Sequence, residues 1–279
     1  MEATRRAAVV GKPIAHSLSP VIHTAGYAAA GLTGWSYTRV ECAAAELPDL
    51  VARLGPEWAG LSVTMPGKEA ALAVADAASP VAAAVGAANT LVRRQDGSWY
   101  ADNTDVAGMV RVLTDAGVGA GAAVTVLGAG GTARAALAAA AQLACPAVTV
   151  VARRPVAVDE LRPVADALGV VLTPAGWADA HHHLSTADLA VSTVPKGVAD
   201  PLAPAVSWRA GTVLFDAIYD PWPTPLAASA AAAGLRLVSG LDLLLAQAVG
   251  QFEQFTGVTA PVEAMRRALG EATSVDFLS

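Results

Sequence analysis

The residues best suited to chemistry in this sequence are a lysine and an aspartate, each placed after a short β-rich run. Lys68 comes just beyond the run 61–64, and Asp105 ends the polar segment Asp102-Asn103-Thr104-Asp105. Reduction of a carbonyl group needs a proton donor at the developing alkoxide, and a lysine can supply it when an aspartate orients it and balances its charge. Taken singly, Lys68 would be a surface charge and Asp105 a helix N-cap.

A second polar cluster lies near the N-terminus. Ser17 and Ser19 follow the apolar run 7–10 and precede a helical pattern that continues to about Ala30. We expect Ser19 to be the N-cap of this helix and Pro20 its first residue. Two hydroxyl groups beside a helix N-terminus would suit a carboxylate ligand. Capping alone would account for Ser19, but it accounts for Ser17 less well.

A glycine-rich segment between an apolar run and an alanine-rich helical pattern predicts a dinucleotide site. It fits the pattern G-x-G-x-x-G/A and consists of Gly128, Ala129, Gly130, Gly131, Thr132 and Ala133. Such glycines allow a tight turn and a close approach of the backbone to a pyrophosphate, which the helix N-terminus then binds. The strand–loop–helix context favours this interpretation over a glycine turn without a ligand.

The end of the next strand indicates which dinucleotide binds. That strand ends in Val151-Ala152-Arg153-Arg154, without the acidic residue that usually accepts the ribose hydroxyl of NAD. Two guanidinium groups suit a 2′-phosphate, because they can form charge-assisted hydrogen bonds with it. We therefore expect Arg153 and Arg154 to bind NADP. The alternative is a solvated basic loop.

The elements that must position these groups alternate between strands and helices. After residue 123, six runs predict strands of a βαβ series, at 124–127, 148–151, 170–172, 189–191, 213–215 and 235–238. Such a series predicts a Rossmann-type parallel, doubly wound sheet. Earlier strands are expected at 7–10, 35–40 and 61–64, and a hairpin at 90–94 with 99–101. Further helices are expected at about 106–116, 241–255 and 261–269.

Composition and charge exclude several functions. The 279-residue chain has 18 basic and 24 acidic side chains, a net charge of −6, and no basic run longer than two residues, so we expect no nucleic acid partner. The three consecutive histidines at 181–183 cannot converge on a metal from one helix face, so no metal site is expected. Cys42 and Cys145 form neither a CxxC pair nor a disulfide framework, which favours a reducing compartment.

No targeting or membrane segment is expected either. Residues 1–6 are charged and lack the apolar run of a signal peptide. Two stretches without charge are long enough to raise the question of a membrane span. Residues 116–133 contain six glycines, and residues 135–152 contain a glutamine and a proline, so both suit a buried sheet better. We therefore expect a cytoplasmic protein, with a homodimer as one possible state.

Taken together, these motifs resemble the shikimate dehydrogenase family in order and spacing over nearly the whole chain. The segments that carry the resemblance are Ser17-Leu18-Ser19, 63–68, Ala88-Asn89-Thr90, 102–105, 128–133 and Gln247. The resemblance implies an oxidoreductase that reversibly reduces 3-dehydroshikimate to shikimate with NADPH, in aromatic amino-acid biosynthesis. Its small-molecule substrate pair would be shikimate and 3-dehydroshikimate.

The resemblance also implies a role for each site residue. The catalytic pair would be Lys68 and Asp105. The substrate carboxylate would be bound by Ser17, Ser19 and Tyr219, and the ring hydroxyls by Thr64, Asn89 and Gln247. The nicotinamide would lie near Gly240 and the backbone at Ala217. Residues 1–105 would form a substrate-binding and catalytic α/β domain, 106–239 the NADP-binding Rossmann domain, and 240–279 C-terminal helices that return to the substrate domain.

Some residues depart from the family pattern, and two other functions stay open. An asparagine is frequent in the family at the positions of Ser62 and Ala152. A bulky residue is frequent at the position of Gly67, and a small one at that of Asp242. The segment 192–195 also differs. One alternative is an NAD-linked quinate/shikimate dehydrogenase, against which the double arginine argues. The other is a catalytically inactive quinate- or shikimate-binding regulator, against which the presence of both catalytic residues argues.

Overall fold

The computed structural model describes residues 4–273, and the chain divides into two compact units. The first unit holds the chain up to Thr104 and again from Leu244 onward, and the second holds Asp105–Leu243. Residues 1–3 and 274–279, which the domain prediction included, lie outside the described residues. Within residues 4–273, no helix is both long enough and apolar enough to cross a membrane.

The first unit contains a mixed sheet of six strands. They are β1 (Arg5–Gly11), β2 (Trp35–Glu41), β3 (Trp58–Val63), β4 (Ala77–Ala78), β5 (Thr90–Arg93) and β6 (Trp99–Asp102). Their spatial order is β2-β1-β3-β5-β6-β4. β1 pairs in parallel with β2 and β3, β5 is antiparallel to β3 and β6, and β4 is parallel to β6. The predicted hairpin is therefore confirmed, as β5 and β6.

Four short helices accompany this sheet, namely α1 (Ser19–Ala29), α2 (Leu47–Ala52), α3 (Lys68–Val74) and α4 (Pro80–Val85). The apolar sides of α2, α3 and α4 cover a core that includes Val10, Leu61 and Leu91 from the central strands. α4 is capped at both ends, since the Ser79 hydroxyl accepts a hydrogen bond from the Ala82 amide at 3.1 Å and a left-handed Gly86 ends the helix. These devices keep the segment before β5 short and ordered.

The second unit alternates helices and strands in the predicted manner. Its elements are α5 (Thr104–Asp115), β7 (Val124–Leu127), α6 (Gly131–Gln142), β8 (Ala147–Ala152), α7 (Pro155–Asp159), α8 (Arg162–Leu168), β9 (Val171–Gly176), α9 (Ala180–Thr186), β10 (Leu189–Ser192), β11 (Val213–Asp216), α10 (Pro225–Ala232) and β12 (Arg236–Ser239). The strand order is β12-β11-β10-β7-β8-β9, and every pair is parallel. This is the doubly wound order, so the predicted fold class is confirmed.

Helices cover both faces of this sheet, which explains why its central strands are mostly apolar. Val126 and Val150 contribute to the core on one face, while Leu127 and Val151 contribute to the core on the other. Neighbouring residues of a strand point to opposite faces, so a strand that is covered on both faces has apolar residues at most of its positions.

The last two helices, α11 (Gly240–Thr256) and α12 (Val262–Thr273), bring the chain back to the first unit. α1 packs on α12. The α11 ring of Phe252 lies against Gly26 of α1, where an added Cβ would come within 2.9 Å of it. Phe255 lies against Gly60 of β3 in the same way. These close contacts place the C-terminal part of α11 against α1 and the sheet.

Candidate active site

The polar segments of the first unit meet at one edge of its sheet. β1, β3 and β6 all end at this edge, because β6 is antiparallel to β5, which is antiparallel to β3. Ser17 follows β1, Thr64 follows β3, and Asn103 follows β6, while Asn89 immediately precedes β5. Groups at the carboxyl ends of parallel strands form the usual ligand sites of α/β sheets.

The two serines are placed one residue differently from the prediction. α1 begins at Ser19, and Leu18 occupies the N-cap position, so the prediction of Ser19 as the N-cap and Pro20 as the first helical residue is wrong. The Ser17 hydroxyl instead accepts a hydrogen bond from the Ser19 amide at 3.3 Å. Arg39 holds the Ser17 carbonyl through Nε at 2.9 Å and Nη2 at 2.6 Å. Arg39 therefore braces the turn that carries Ser17, directly before α1.

Lys68 is the first residue of α3 and lies next to Asn89 in the fold. A turn from Thr64 leads into it, with the Gly67 amide donating to the Thr64 carbonyl at 2.9 Å. The Lys68 carbonyl accepts a hydrogen bond from the Ala88 amide at 2.9 Å, which ties the lysine to the segment before β5. The Lys68 side chain is half-buried.

Asp105 is the second residue of α5, and it is half-buried. The helix begins one residue earlier, at Thr104, so Asp105 is inside the first turn and is not the N-cap. The amide of Thr104, the preceding residue, donates to Asn89 Oδ1 at 2.8 Å. The start of α5 is therefore anchored to a predicted substrate-binding side chain.

Asn89 and Gln247, both predicted to bind ring hydroxyls, are joined directly. Asn89 Nδ2 donates to Gln247 Oε1 at 3.4 Å, and Gln247 Nε2 donates to the Leu244 carbonyl at 2.8 Å. Asn89 Oδ1 accepts from the Thr90 hydroxyl at 2.8 Å and from the amide and hydroxyl of Thr104. Asn89 and Gln247 are 3% and 7% exposed, so the pair is held by protein atoms on several sides.

A third amide, Gln251, extends this network and was not among the predicted site residues. Its Nε2 donates to the Asn89 carbonyl at 3.0 Å and to the Thr90 hydroxyl at 3.1 Å. Its Oε1 accepts from the Ser62 hydroxyl at 2.6 Å, and Ser62 accepts from Tyr37 Oη at 2.6 Å. We call the connected side chains of Tyr37, Ser62, Gln251, Thr90, Asn89 and Gln247 the amide relay.

Burial has strong effects at the Tyr37 end of the amide relay. The pKa of Tyr37 is raised by burial, against opposing hydrogen bonds with Ser62 and Ser19. The ring of His23 stacks on Tyr37, with centroids 4.1 Å apart and planes at 7°. Burial lowers the pKa of His23 from 6.5 to about 3, and only a weaker interaction with Gln251 opposes it. His23 is therefore neutral at physiological pH.

In the second unit, three predicted site residues come together after β11 and β12. Gly240 begins α11, and an added Cβ there would collide with the Ala217 carbonyl and lie 3.0 Å from Tyr219 Cδ1. Only glycine permits this approach. Asp216 organises the same loop, since its carboxylate accepts from the Thr224 hydroxyl at 2.7 Å and from the Ile218 amide at 3.1 Å. Burial raises the pKa of Asp216 despite these bonds.

The glycine loop has the geometry that a pyrophosphate requires. Gly128 has φ +101°, and an added Cβ would lie 2.6 Å from Thr193 Oγ1. At Gly130 and Gly131, no described atom lies within 4 Å of an added Cβ, so the loop is open where α6 begins. Ala133 is fully buried, which allows α6 to pack closely on the sheet. Ala129 lies in the loop, and Thr132 is the second residue of α6.

Arg153 and Arg154 follow β8, the strand beside the glycine loop strand. Both side chains are exposed, whereas Ala152 before them is buried. Since NADP carries a 2′-phosphate on the ribose that follows the pyrophosphate, an exposed guanidinium at this strand end fits that group.

Comparisons with known proteins agree with this arrangement. Residues 9–91 match the model of the shikimate dehydrogenase substrate binding domain, and residues 240–269 match that of the shikimate 5′-dehydrogenase C-terminal domain. A shikimate dehydrogenase (NADP(+)) from Moorella thermoacetica is 37% identical over 276 residues, which cover 95% of this chain and 92% of the relative. This chain belongs to the shikimate dehydrogenase family.

Solved structures of the family share the whole fold. The crystal structure of Mycobacterium tuberculosis shikimate dehydrogenase has a TM-score of 0.88 at 48% identity, covering 96% of this chain and 99% of that one. Shikimate 5-dehydrogenase from Thermus thermophilus, in complex with NADP(H) and shikimate, has a TM-score of 0.83 at 30% identity, covering 96% and 99%.

Two of the departures from the family pattern have clear structural roles here. Ser62 is a member of the amide relay, so a hydroxyl serves where an asparagine is frequent. Asp242 accepts hydrogen bonds from the amide and the hydroxyl of Ser239, both at 2.7 Å, at the start of α11. At Gly67, an added Cβ would lie 3.0 Å from Val63 Cγ1, so a bulky residue would require Val63 to move.

Proposed function

We propose that this chain catalyses the reversible, NADP-dependent interconversion of 3-dehydroshikimate and shikimate in aromatic amino-acid biosynthesis. The observation that carries the proposal is the match over nearly the whole chain to shikimate dehydrogenases, at 37% and 48% identity. Lys68 and Asp105 are both present, which argues against an inactive binding protein.

The substrate side of the proposal rests on neutral polar groups. Ser17 and Ser19 bind the carboxylate from the start of α1, with the helix N-terminus adding favourable partial charge. Tyr219 adds its hydroxyl to the same group. Burial raises the pKa of Tyr219, and Asp220 reinforces the effect, so the phenol stays protonated and can donate. Thr64, Asn89 and Gln247 bind the ring hydroxyls.

The proton chemistry falls to Lys68 and Asp105. When bound, NADPH supplies the hydride for reduction of the substrate carbonyl. In that direction Lys68 donates a proton from Nζ to the carbonyl oxygen as it becomes an alkoxide. In the oxidation direction Lys68 accepts the hydroxyl proton. Asp105 orients the ammonium group and balances its charge, so that Nζ points at the reacting oxygen.

The residues of the second unit fit NADP. Gly128, Gly130 and Gly131 leave the backbone open at the start of α6, where N–H groups can bind the pyrophosphate. Arg153 binds the 2′-phosphate, and Arg154 helps to neutralise the negative charge of that phosphate. Ala217 and Gly240 border the nicotinamide. Residues 106–239 are therefore assigned to NADP binding, and 1–105 with 240–279 to substrate binding and catalysis.

The reaction is tested by identifying its product. Purified protein is incubated with 3-dehydroshikimate and NADPH, and the product is analysed by chromatography and mass spectrometry. We expect shikimate and an equal amount of NADP, and the reverse products when shikimate and NADP are supplied. Failure of the folded protein to form shikimate would exclude the proposed function. Light scattering during size-exclusion chromatography tests the predicted homodimer separately.

A further inference from the structure

The amide relay runs in a single direction. Tyr37 donates to Ser62, Ser62 donates to Gln251, and Gln251 donates to Thr90. Thr90 then donates to Asn89 Oδ1, and Asn89 donates to Gln247. Every side chain thus passes a donor to the next, and the relay ends at the Leu244 carbonyl, which can only accept.

Backbone groups fix this direction at three places. The Thr104 amide can only donate, so the Asn89 atom 2.8 Å from it must be the oxygen. The Asn89 carbonyl can only accept, so the Gln251 atom 3.0 Å from it must be the nitrogen. The Leu244 carbonyl orients Gln247 in the same manner, at 2.8 Å. The three amide orientations therefore follow from chemistry that no side-chain flip can reverse.

Gln251 occupies the middle of the relay. It lies on α11, is 1% exposed, and connects this helix to β3 through Ser62 and to β5 through Thr90. Both N–H groups of its amide have acceptors, the Asn89 carbonyl and the Thr90 hydroxyl. The Thr90 oxygen accepts from Gln251, and its single proton goes to Asn89 Oδ1 at 2.8 Å, which is closer than the Thr104 hydroxyl at 3.3 Å.

We propose that Gln251 is a positioning residue that, through Thr90, holds the Asn89 amide in the orientation that the Thr104 backbone amide selects. Gln251 directs the Thr90 proton to Asn89 Oδ1, and that oxygen also accepts from the amide and hydroxyl of Thr104. Asn89 Oδ1 is therefore occupied by donors from the protein, which leaves Asn89 Nδ2, beside Gln247, as the part of this amide available to a substrate. The inference rests on the proposed function, in which Asn89 and Gln247 bind substrate.

This polarity has a consequence for the ligand. Asn89 offers an N–H donor, so it recognises a lone pair on a substrate hydroxyl oxygen and leaves the proton of that hydroxyl to another acceptor. Gln251 itself touches no substrate, because its amide is committed to Asn89, Thr90 and Ser62. Its removal should weaken shikimate binding without changing the proton transfer at Lys68.

The test compares two glutamines of the same helix. Gln251→Met keeps the length of the side chain and removes its hydrogen bonds. Gln254→Met is the matched control, because Gln254 also joins α11 to the sheet, by donating to Asp102 Oδ2 at 2.7 Å, but lies outside the relay. KM and kcat for shikimate, KM for NADP and the unfolding temperature are measured for each variant and for the unmodified protein.

We expect Gln251→Met to raise KM for shikimate about 3- to 10-fold, the range that the loss of one neutral hydrogen bond produces. Its kcat and its KM for NADP should change less than about twofold, and Gln254→Met should leave all three unchanged. An unchanged KM for shikimate, or a fall in kcat alone together with a lower unfolding temperature, would show that Gln251 is only structural and would overturn the inference.

Thr90→Val gives an independent arm, and it replaces Gln251→Met if that variant does not fold. If Gln251 acts through Thr90, the valine raises KM for shikimate in the same way, and the double variant is no worse than the more affected single variant. Additive effects of the two substitutions would contradict the inference. If the unmodified protein does not oxidise shikimate with NADP, the proposed function fails. Normal oxidation by both the unmodified and the Gln251→Met proteins overturns the positioning role alone.

Discussion

The proposed ligand-binding groups are buried in the first unit and exposed in the second. In the first, Asn89, Gln247 and Ser19 are at most 7% exposed, and Asn89 and Gln247 are held in one orientation by other protein groups. In the second, the glycine loop offers open backbone, and Arg153 and Arg154 are exposed side chains. A buried, directed network selects the shape and hydrogen-bond polarity of a small ligand, whereas backbone amides and exposed charge bind phosphates and remain sensitive to salt.

This contrast determines which substitutions should matter most. Within the first unit, one altered side chain disturbs neighbours whose hydrogen bonds depend on it. Within the second, an exposed arginine can be removed with little effect on the fold, because it packs on little and solvent replaces its contacts.

Lys68→Ala should lower kcat for shikimate oxidation by about 10²- to 10⁴-fold, the usual contribution of a positioned acid–base group. Shikimate affinity, measured by calorimetry, should change far less, because the hydroxyl contacts of the buried site remain. Asp105→Asn keeps the shape and removes the charge, so it should also lower kcat strongly. Near-normal turnover by Lys68→Ala would reduce this lysine to a binding or surface residue.

Arg153→Ala should raise KM for NADP about 10-fold and leave KM for NAD nearly unchanged, because one charged hydrogen bond to the 2′-phosphate is lost. Added salt should weaken NADP binding more than NAD binding in the unmodified protein. Arg154→Ala should have a smaller effect. Arg162→Ala is the control, since Arg162 is also exposed on this unit and pairs with Asp159 at 2.9 Å. An equal change in KM for NADP and KM for NAD in Arg153→Ala would show that the two arginines form only a solvated basic loop.

Gly240→Ala should destabilise the protein by about 1–3 kcal/mol, the usual cost of forcing a methyl group into a packed site. The added Cβ collides with the Ala217 carbonyl, so the loop that carries Tyr219 must shift. Chemical denaturation and KM for NADP measure the two consequences. Gly119→Ala is the matched control, because no described atom lies within 4 Å of an added Cβ there. Equal stability of the two variants would contradict the close approach.

Buried His23 should make the fold sensitive to mild acid. Its pKa of about 3 in the folded state lies below the unfolded value of 6.5, so the unfolded chain binds the proton first. Stability is therefore lost as the pH falls below 6.5, by about 2 kcal/mol between pH 7 and pH 5. His23→Phe, which keeps a ring against Tyr37, should flatten this part of the curve. Parallel curves of unfolding free energy against pH for both proteins would contradict the assignment.

The sequence predicted the alternating strands and helices of the second unit better than the short elements of the first unit. The strands of the second unit are mostly apolar because helices cover both faces, and this pattern stands out in a sequence. β4 has only two residues, and α2, α3 and α4 have six or seven each, so none fills the window of about 11–18 residues in which helical periodicity is recognised. The helix start at Ser19 differed by one residue, because Ser17 takes the hydrogen-bonding part expected of the cap.

The site was predicted where motifs carry it and was missed where the fold assembles it. Lys68, Asn89 and the glycine loop belong to short contiguous motifs. Gln251, Tyr37 and His23 come from distant parts of the chain and meet only in the tertiary structure. One sequence pattern did point to Gln251, because Gln247 and Gln251 are four residues apart and share a helix face.

The most direct measurement for the whole account is kcat/KM of the unmodified protein for four pairs, shikimate or quinate with NADP or NAD. All four are determined at the same pH and ionic strength. We predict that shikimate with NADP is the best pair, that quinate is much poorer with either cofactor, and that NAD is poorer with either substrate. Faster oxidation of quinate than of shikimate, or equal kcat/KM for NAD and NADP, would contradict the account.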